Sequence, residues 1–173
     1  MVNVRIWKKV CCLVVGGAAS LAIANCSAPQ GGGPGDAVAQ AIAGECLDCE
    51  LAGADLAGQS LKEAKLNRSD LSEAKLSGAD LTGALLDSAR LQGADLSNAA
   101  LAGTALTNAN LEGANLKGAD LSKAYLRGAD LAGADFTDAN LSGANLTETE
   151  LDKAVLEGAT LEGAVLPEGF VPE

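Results

Sequence analysis

From Leu51 to Leu166 every fifth residue is apolar: 23 leucines and one phenylalanine, Phe136, occupy 24 consecutive positions without a slip. Two residues before each of these centres stands Ala in 19 of the 24 cases; the exceptions are Cys49, Gln59, Ser69, Thr104 and Thr149. Two residues after the centre stands Gly in 13 cases, and the position just before it favours Asp, Asn and other polar side chains. A period of five suits neither regular element. An α-helix advances about 100° per residue and would spiral the leucines round every side. A straight strand alternates faces with period two and would throw successive leucines to opposite faces. A two-residue inward step followed by a corner does fit. The small residue and the Leu point the same way, as in a short strand, and a turn then redirects the chain at a position where Gly tolerates backbone closed to other residues. Four such sides close a square coil of about twenty residues, and the 24 repeats predict six coils. At the ~4.8 Å spacing of paired strands these make a rod roughly 29 Å long.

The pattern resembles that of the pentapeptide-repeat family. Its run of a small residue, Asp or Asn, Leu and two polar or small residues stands here as Ala79-Asp80-Leu81-Thr82-Gly83 and Ala129-Asp130-Leu131-Ala132-Gly133. The resemblance covers about 120 residues and implies that family's all-β fold, a right-handed quadrilateral parallel β-helix. The family shares a shape more than a task. Some relatives imitate duplex DNA and block topoisomerases, which the resemblance makes an alternative function.

The segments outside the ladder differ in character. Arg5, Lys8 and Lys9 precede an apolar run from Val10 to Ala24, too short to cross a membrane as a helix, so 1–25 is expected to be a signal peptide. Leu21-Ala22-Ile23-Ala24-Asn25-Cys26 resembles a bacterial lipobox, with Asn25 departing from the usual small residue. It makes Cys26 the lipidation candidate; the other reading cuts after Ala24. Residues 26–45 are expected to be a tether rich in Gly and Pro, followed by a short helix over 36–44 that Asp36 caps and Gly44 ends. That helix should cover the first coil. The β-helix is assigned to 46–168 and a tail to 169–173, with Pro167, Phe170 and Pro172 covering the far end against edge-to-edge pairing.

Composition narrows the chemistry. Hydrophobic residues make up 48% of the chain and aromatic ones only 2%, so Ala and Leu must build a thin, regular core. The formal charge is −11, and without the first 25 residues 9 bases face 23 acids, a balance that should repel nucleic acid. There is no His, so the commonest catalytic base and metal ligand is missing. No metal, cofactor or catalytic residue is assigned, and an enzyme is not expected. Cys46 falls on the lattice as a centre and Cys49 on the small inward position; two buried thiols are expected ahead of a disulfide. Gln59, the one long polar side chain at an inward position, is expected to lie in a bulge or to bond free backbone groups in the first coil.

The lattice also sorts charge onto sides. The side holding Leu51, Leu71 and their successors nets −5, the next two −3 and −2, and the fourth, starting at Leu66, nets zero. On that fourth side the position before the centre reads Lys65, Leu85, Ala105, Tyr125, Asn145, Val165. Leu85, Tyr125 and Val165 are therefore the expected contact residues for a protein partner or a second copy. The resulting expectation is a non-enzymatic extracytoplasmic interaction or structural module with no nucleic-acid partner. It would be held at a membrane through a lipidated Cys26 or free in the periplasm, or in the thylakoid lumen of a photosynthetic host. An acidic DNA mimic is the alternative, since 46–168 carries 20 acids and 9 bases.

Overall fold

A computed structural model of the chain describes residues 34–171. The signal peptide, Cys26 and Pro172 therefore lie outside the described residues. The chain opens with helix α1, Pro34–Ile42. Pro suits the first helical turn, where its missing N–H would have no partner in any case. Asp36 is thus the third helical residue, not the cap that its sequence suggested. The end was legible. Gly44 takes a left-handed backbone at φ 83°, and the Gly44 N–H donates to Ala41 O at 3.0 Å while the Glu45 N–H donates to Gln40 O at 3.3 Å. This pair of bonds ties off the orphan carbonyls of a helix C-terminus.

From Glu45 the chain winds as a four-sided coil. Twenty parallel bridges join residues twenty apart, from Glu45 with Lys65 to Asn145 with Val165. The same exchange recurs at each level. The Leu91 N–H donates to Asn110 O in the next coil at 2.7 Å, and the Asp95 N–H donates to Ala74 O in the previous one at 2.9 Å. Each corner closes on itself, as where the Ala94 N–H donates to Leu91 O at 3.0 Å. The residue two after the centre is left-handed from Asp48 to Glu148, Gly93 at φ 63° and Asn98 at 55° alike, and the pattern breaks at Lys153 in the 3₁₀ turn of the last coil. At Gly128 an added Cβ would sit 2.6 Å from Asn108 Oδ1 in the coil below, so that side chain would have to turn away.

The ladder points inward as its period demands. Leu91 and Leu111 are fully buried, as is Phe136, and the small inward positions between Ala64 and Thr149 are buried with them. The ends differ. Leu156, Leu161 and Leu166 are only half-buried. Pro167 and half-buried Phe170 lie against this end, and a cavity of about 1180 Å³ opens beside Leu151, Leu156, Leu161 and Phe170. Nor is the last coil regular. A single 3₁₀ turn, Leu151–Lys153, follows Glu150, where no bridge to Asp130 forms.

Gln59 corrects the expectation made for it. It is exposed, with no bulge: its N–H closes the corner onto Leu56 O at 3.1 Å and its C=O accepts from the Asp80 N–H at 3.0 Å. Gln59 lies in the first coil, where Gly44 sits beneath Ala64 but no coil lies beneath this corner, so the long side chain reaches water round the open rim.

Candidate functional site

The fourth side assembles as a true column. Consecutive bridges stack Lys65, Leu85, Ala105, Tyr125, Asn145 and Val165 one above another. Leu85 is 38% exposed, Tyr125 57% and Val165 53%. Leu85 and Tyr125 flank Ala105; the neighbouring corner carries Gly83 and Gly103, which add no side chain, and Lys123 beside Tyr125. The result is a flat apolar strip at mid-rod, with Val165 standing apart beyond Asn145. The bases of this side are engaged across coils. Lys65 pairs with Glu45 at 2.7 Å, Arg68 grips both oxygens of Asp48 at 2.8 and 2.7 Å, and Arg127 meets Glu148 at 2.8 Å. Exposed pairs of this kind add little stability. Their effect is to cancel the charge around the strip. Val155, 46% exposed, adds a separate apolar spot on the opposite side of the rod, above Asp135 and Asn115. Sequence reasoning passed over it because that side carries net charge; its place before a centre was the available signal.

The acidic residues are occupied by the corners. Asp80 accepts the Thr82 N–H at 3.0 Å, Asp95 the Ser97 N–H at 3.1 Å and Asp120 the Ser122 N–H at 3.0 Å. Asn140 and Asn145 accept from Ser142 and Thr147 in the same way. Charged acceptors of this kind are favoured in the ionised form. The hydroxyl and then the amide of Thr82 hold the Asp80 carboxyl below its ordinary range, and those of Thr137 do the same for Asp135. The Asp and Asn side chains thus serve as turn partners, the role their lattice position suggests.

The third feature is the first corner. Cys46 and Cys49 are joined by a disulfide, with Cα atoms 5.5 Å apart. Of the two alternatives, buried thiols and a disulfide, the structure takes the one ranked second, and the reason is geometric. A corner brings a centre and the residue three further on, both inward-facing, to the separation a disulfide requires. Cys46 is fully buried, but Cys49 is only half-buried because its coil has no other beneath it.

Comparison with known proteins agrees with this geometry. The family model described as pentapeptide repeats matches in 8 copies over residues 49–87, 89–128 and 129–166. The chain belongs to the pentapeptide-repeat family. Its coil is accordingly the right-handed quadrilateral β-helix of that family, whose members are generally structural or interaction modules. Among solved structures, the chain is 30% identical to the pentapeptide repeat protein Rfr23 of the cyanobacterium Cyanothece 51142. That alignment covers 76% of this chain and 98% of the other, with a TM-score of 0.32. A pentapeptide repeat protein of the Arabidopsis thaliana thylakoid lumen is 25% identical over 76% of this chain and 65% of its own, with a TM-score of 0.29. An uncharacterized protein of Synechocystis is 70% identical, but only over 27 residues, 16% of each chain. Among the described residues no helix is long and apolar enough to cross a membrane.

Proposed function

We propose that this pentapeptide-repeat protein is a non-enzymatic extracytoplasmic interaction module, held at a membrane through Cys26, that receives a protein partner on the strip Leu85–Ala105–Tyr125. The observation that carries the reading is the coincidence of exposed apolar side chains with the one side whose charge sums to zero. On a rod this acidic, a partner approaching any other side meets net negative charge and the desolvation of carboxylates. On the fourth side it meets a flat surface whose bases are already paired with acids. Val165 extends the contact towards the far end. The basic, apolar and lipobox-like stretches ahead of Cys26 support export and anchoring.

Two arms test the reading. Leu85→Glu with Tyr125→Glu in the full chain is expected to abolish capture of the co-purifying partner or of a second copy while the fold, followed by circular dichroism, is unchanged. Retained capture would refute the contact face. Metabolic labelling with a fatty-acid analogue is expected to mark the wild type and not Cys26→Ala. Equal labelling, or none in either, would refute the anchor.

A further inference from the structure

The first corner is wired unlike the others, and one residue accounts for the difference. At Leu61–Ala64, Leu81–Ala84 and Leu101–Thr104 the N–H of the inward small residue donates straight to the centre's carbonyl, at 3.1, 2.9 and 3.1 Å. At Cys46–Cys49 it does not. The Cys49 N–H donates to Ser69 Oγ at 3.0 Å, and the Ser69 hydroxyl donates to Cys46 O at 2.7 Å. Ser69 comes from the coil above, twenty residues beyond Cys49, and is itself fully buried. A buried hydroxyl alone does not open a corner. Thr104 reaches down in the same way to Leu81 O at 2.8 Å, yet there the direct bond from Ala84 persists beside it. Thr149 donates instead to Leu146 O of its own corner at 2.7 Å, beside a direct bond stretched to 3.4 Å. Among the described residues, only the corner that holds the disulfide has a hydroxyl inserted in place of the direct bond.

The disulfide also touches the cap. The Cys46 sulfur lies 3.5 Å from Ala37 O and the Cys49 sulfur 3.9 Å from Gln40 Oε1, both acceptors on α1. A disulfide sulfur has no proton to give them, so these are packing contacts and not hydrogen bonds. We infer that Cys46–Cys49 is an exchangeable redox clasp, open to a dithiol at Cys49, with Ser69 as the residue that stabilises its oxidised form. The thiolate of the dithiol attacks the sulfur of half-buried Cys49, and the S–S electron pair passes to the Cys46 sulfur, which takes up a proton. The second thiolate of the reagent then displaces Cys49, which is also protonated, and the reagent leaves as its own disulfide. Two unbonded sulfurs need more room than two bonded ones. Cys46 has no free space, and the coil around it is fixed by the bridge ladder. The room comes from α1, which rests on the coil by packing of Ala37, Val38 and Ala41. Reduction therefore loosens the cap and lets the corner close directly, as its counterparts do.

The test uses the oxidised full chain, equilibrated with dithiothreitol without denaturant. Free thiols are alkylated and located by peptide mass spectrometry, so that Cys46 and Cys49 are read apart from the other cysteines. Both are expected to titrate together in the folded chain. Reduction should speed amide exchange at Ala43, Gly44 and Glu45 at least tenfold, leaving the coils from Leu91 to Leu146 unchanged. Ser69→Ala strands the Cys49 N–H and Cys46 O in the oxidised form only, so its equilibrium should move towards the dithiol about tenfold, and Ser69→Thr should restore it. Alkylation that requires unfolding, or cap exchange that ignores reduction, would overturn the clasp even if the serine variants fold poorly. An unshifted equilibrium in Ser69→Ala would remove Ser69 from it.

Discussion

Leu101 and Leu161 hold the same place in the repeat, on the same side of the rod, three coils apart. Leu101 is fully buried, with a complete coil above and below; Leu161 is half-buried at a level that only Pro167 and Phe170 approach. The first coil shows the same contrast, since inward Ala64, with Gly44 beneath it, is buried while inward Gln59 is exposed. In a solenoid the sequence position sets the direction of a side chain, but burial is supplied by neighbouring coils. The middle and the ends of this rod therefore obey one pattern with different energetics.

Truncation tests the contrast most strongly. Leu101→Ala is expected to cost about 2–5 kcal/mol, the range for a leucine removed from a close-packed core. Leu161→Ala should cost less than half of that, because its site already borders a cavity. Urea unfolding of the two variants measures both; equal losses would erase the distinction. Next come the buried hydroxyls. In the oxidised chain Ser69→Ala should cost about 1–3 kcal/mol, since two buried backbone groups lose their partner. Thr104→Val should cost about 0.5–1.5 kcal/mol, because Leu81 O keeps its bond from Ala84.

Acid separates the regions more gently. Asp80 and Asp135 are held low in the folded chain, so their contribution is present above the unfolded carboxylate value of about 4 and is lost as pH falls through their folded values. The last coil carries Glu150, Val155, Thr160 and Val165 at the corresponding positions, without the Asp and Asn turn partners of the middle. Amide exchange followed from pH 6 down to about 3 should therefore show the middle coils losing protection that the last coil never had from this source. The smallest effect is expected at Gln59: Gln59→Ala should lie within about 0.5 kcal/mol of wild type by the same urea assay, as for other exposed positions.

The leucine period was enough to read the coil, its core and the column that stacks Leu85 above Lys65 and below Ala105, because a five-residue register repeated without a slip leaves no second way to close the chain. The stop at Gly44 was legible from the same backbone argument. What escaped lay at the ends. Gln59 was read as buried because direction was taken for burial. The Cys46–Cys49 bond was ranked second because the lattice was read for facing and not for the distance across a corner. The role of Ser69 was hidden in its description as a tolerated small residue, although its place one coil above Cys49 was countable. Val155 was missed by looking for apolar exposure only where net charge vanished.

The stacking of residues twenty apart is what every face, corner and column above depends on, and a distance between spin labels tests it most directly. In a chain with Cys11, Cys12 and Cys26 replaced by serine and the disulfide intact, labels at Lys65→Cys and Val165→Cys stand five coils apart on one column. The account predicts a single narrow distribution centred near 24 Å, five times the ~4.8 Å strand spacing. A broad distribution, or one centred beyond about 40 Å, would contradict it.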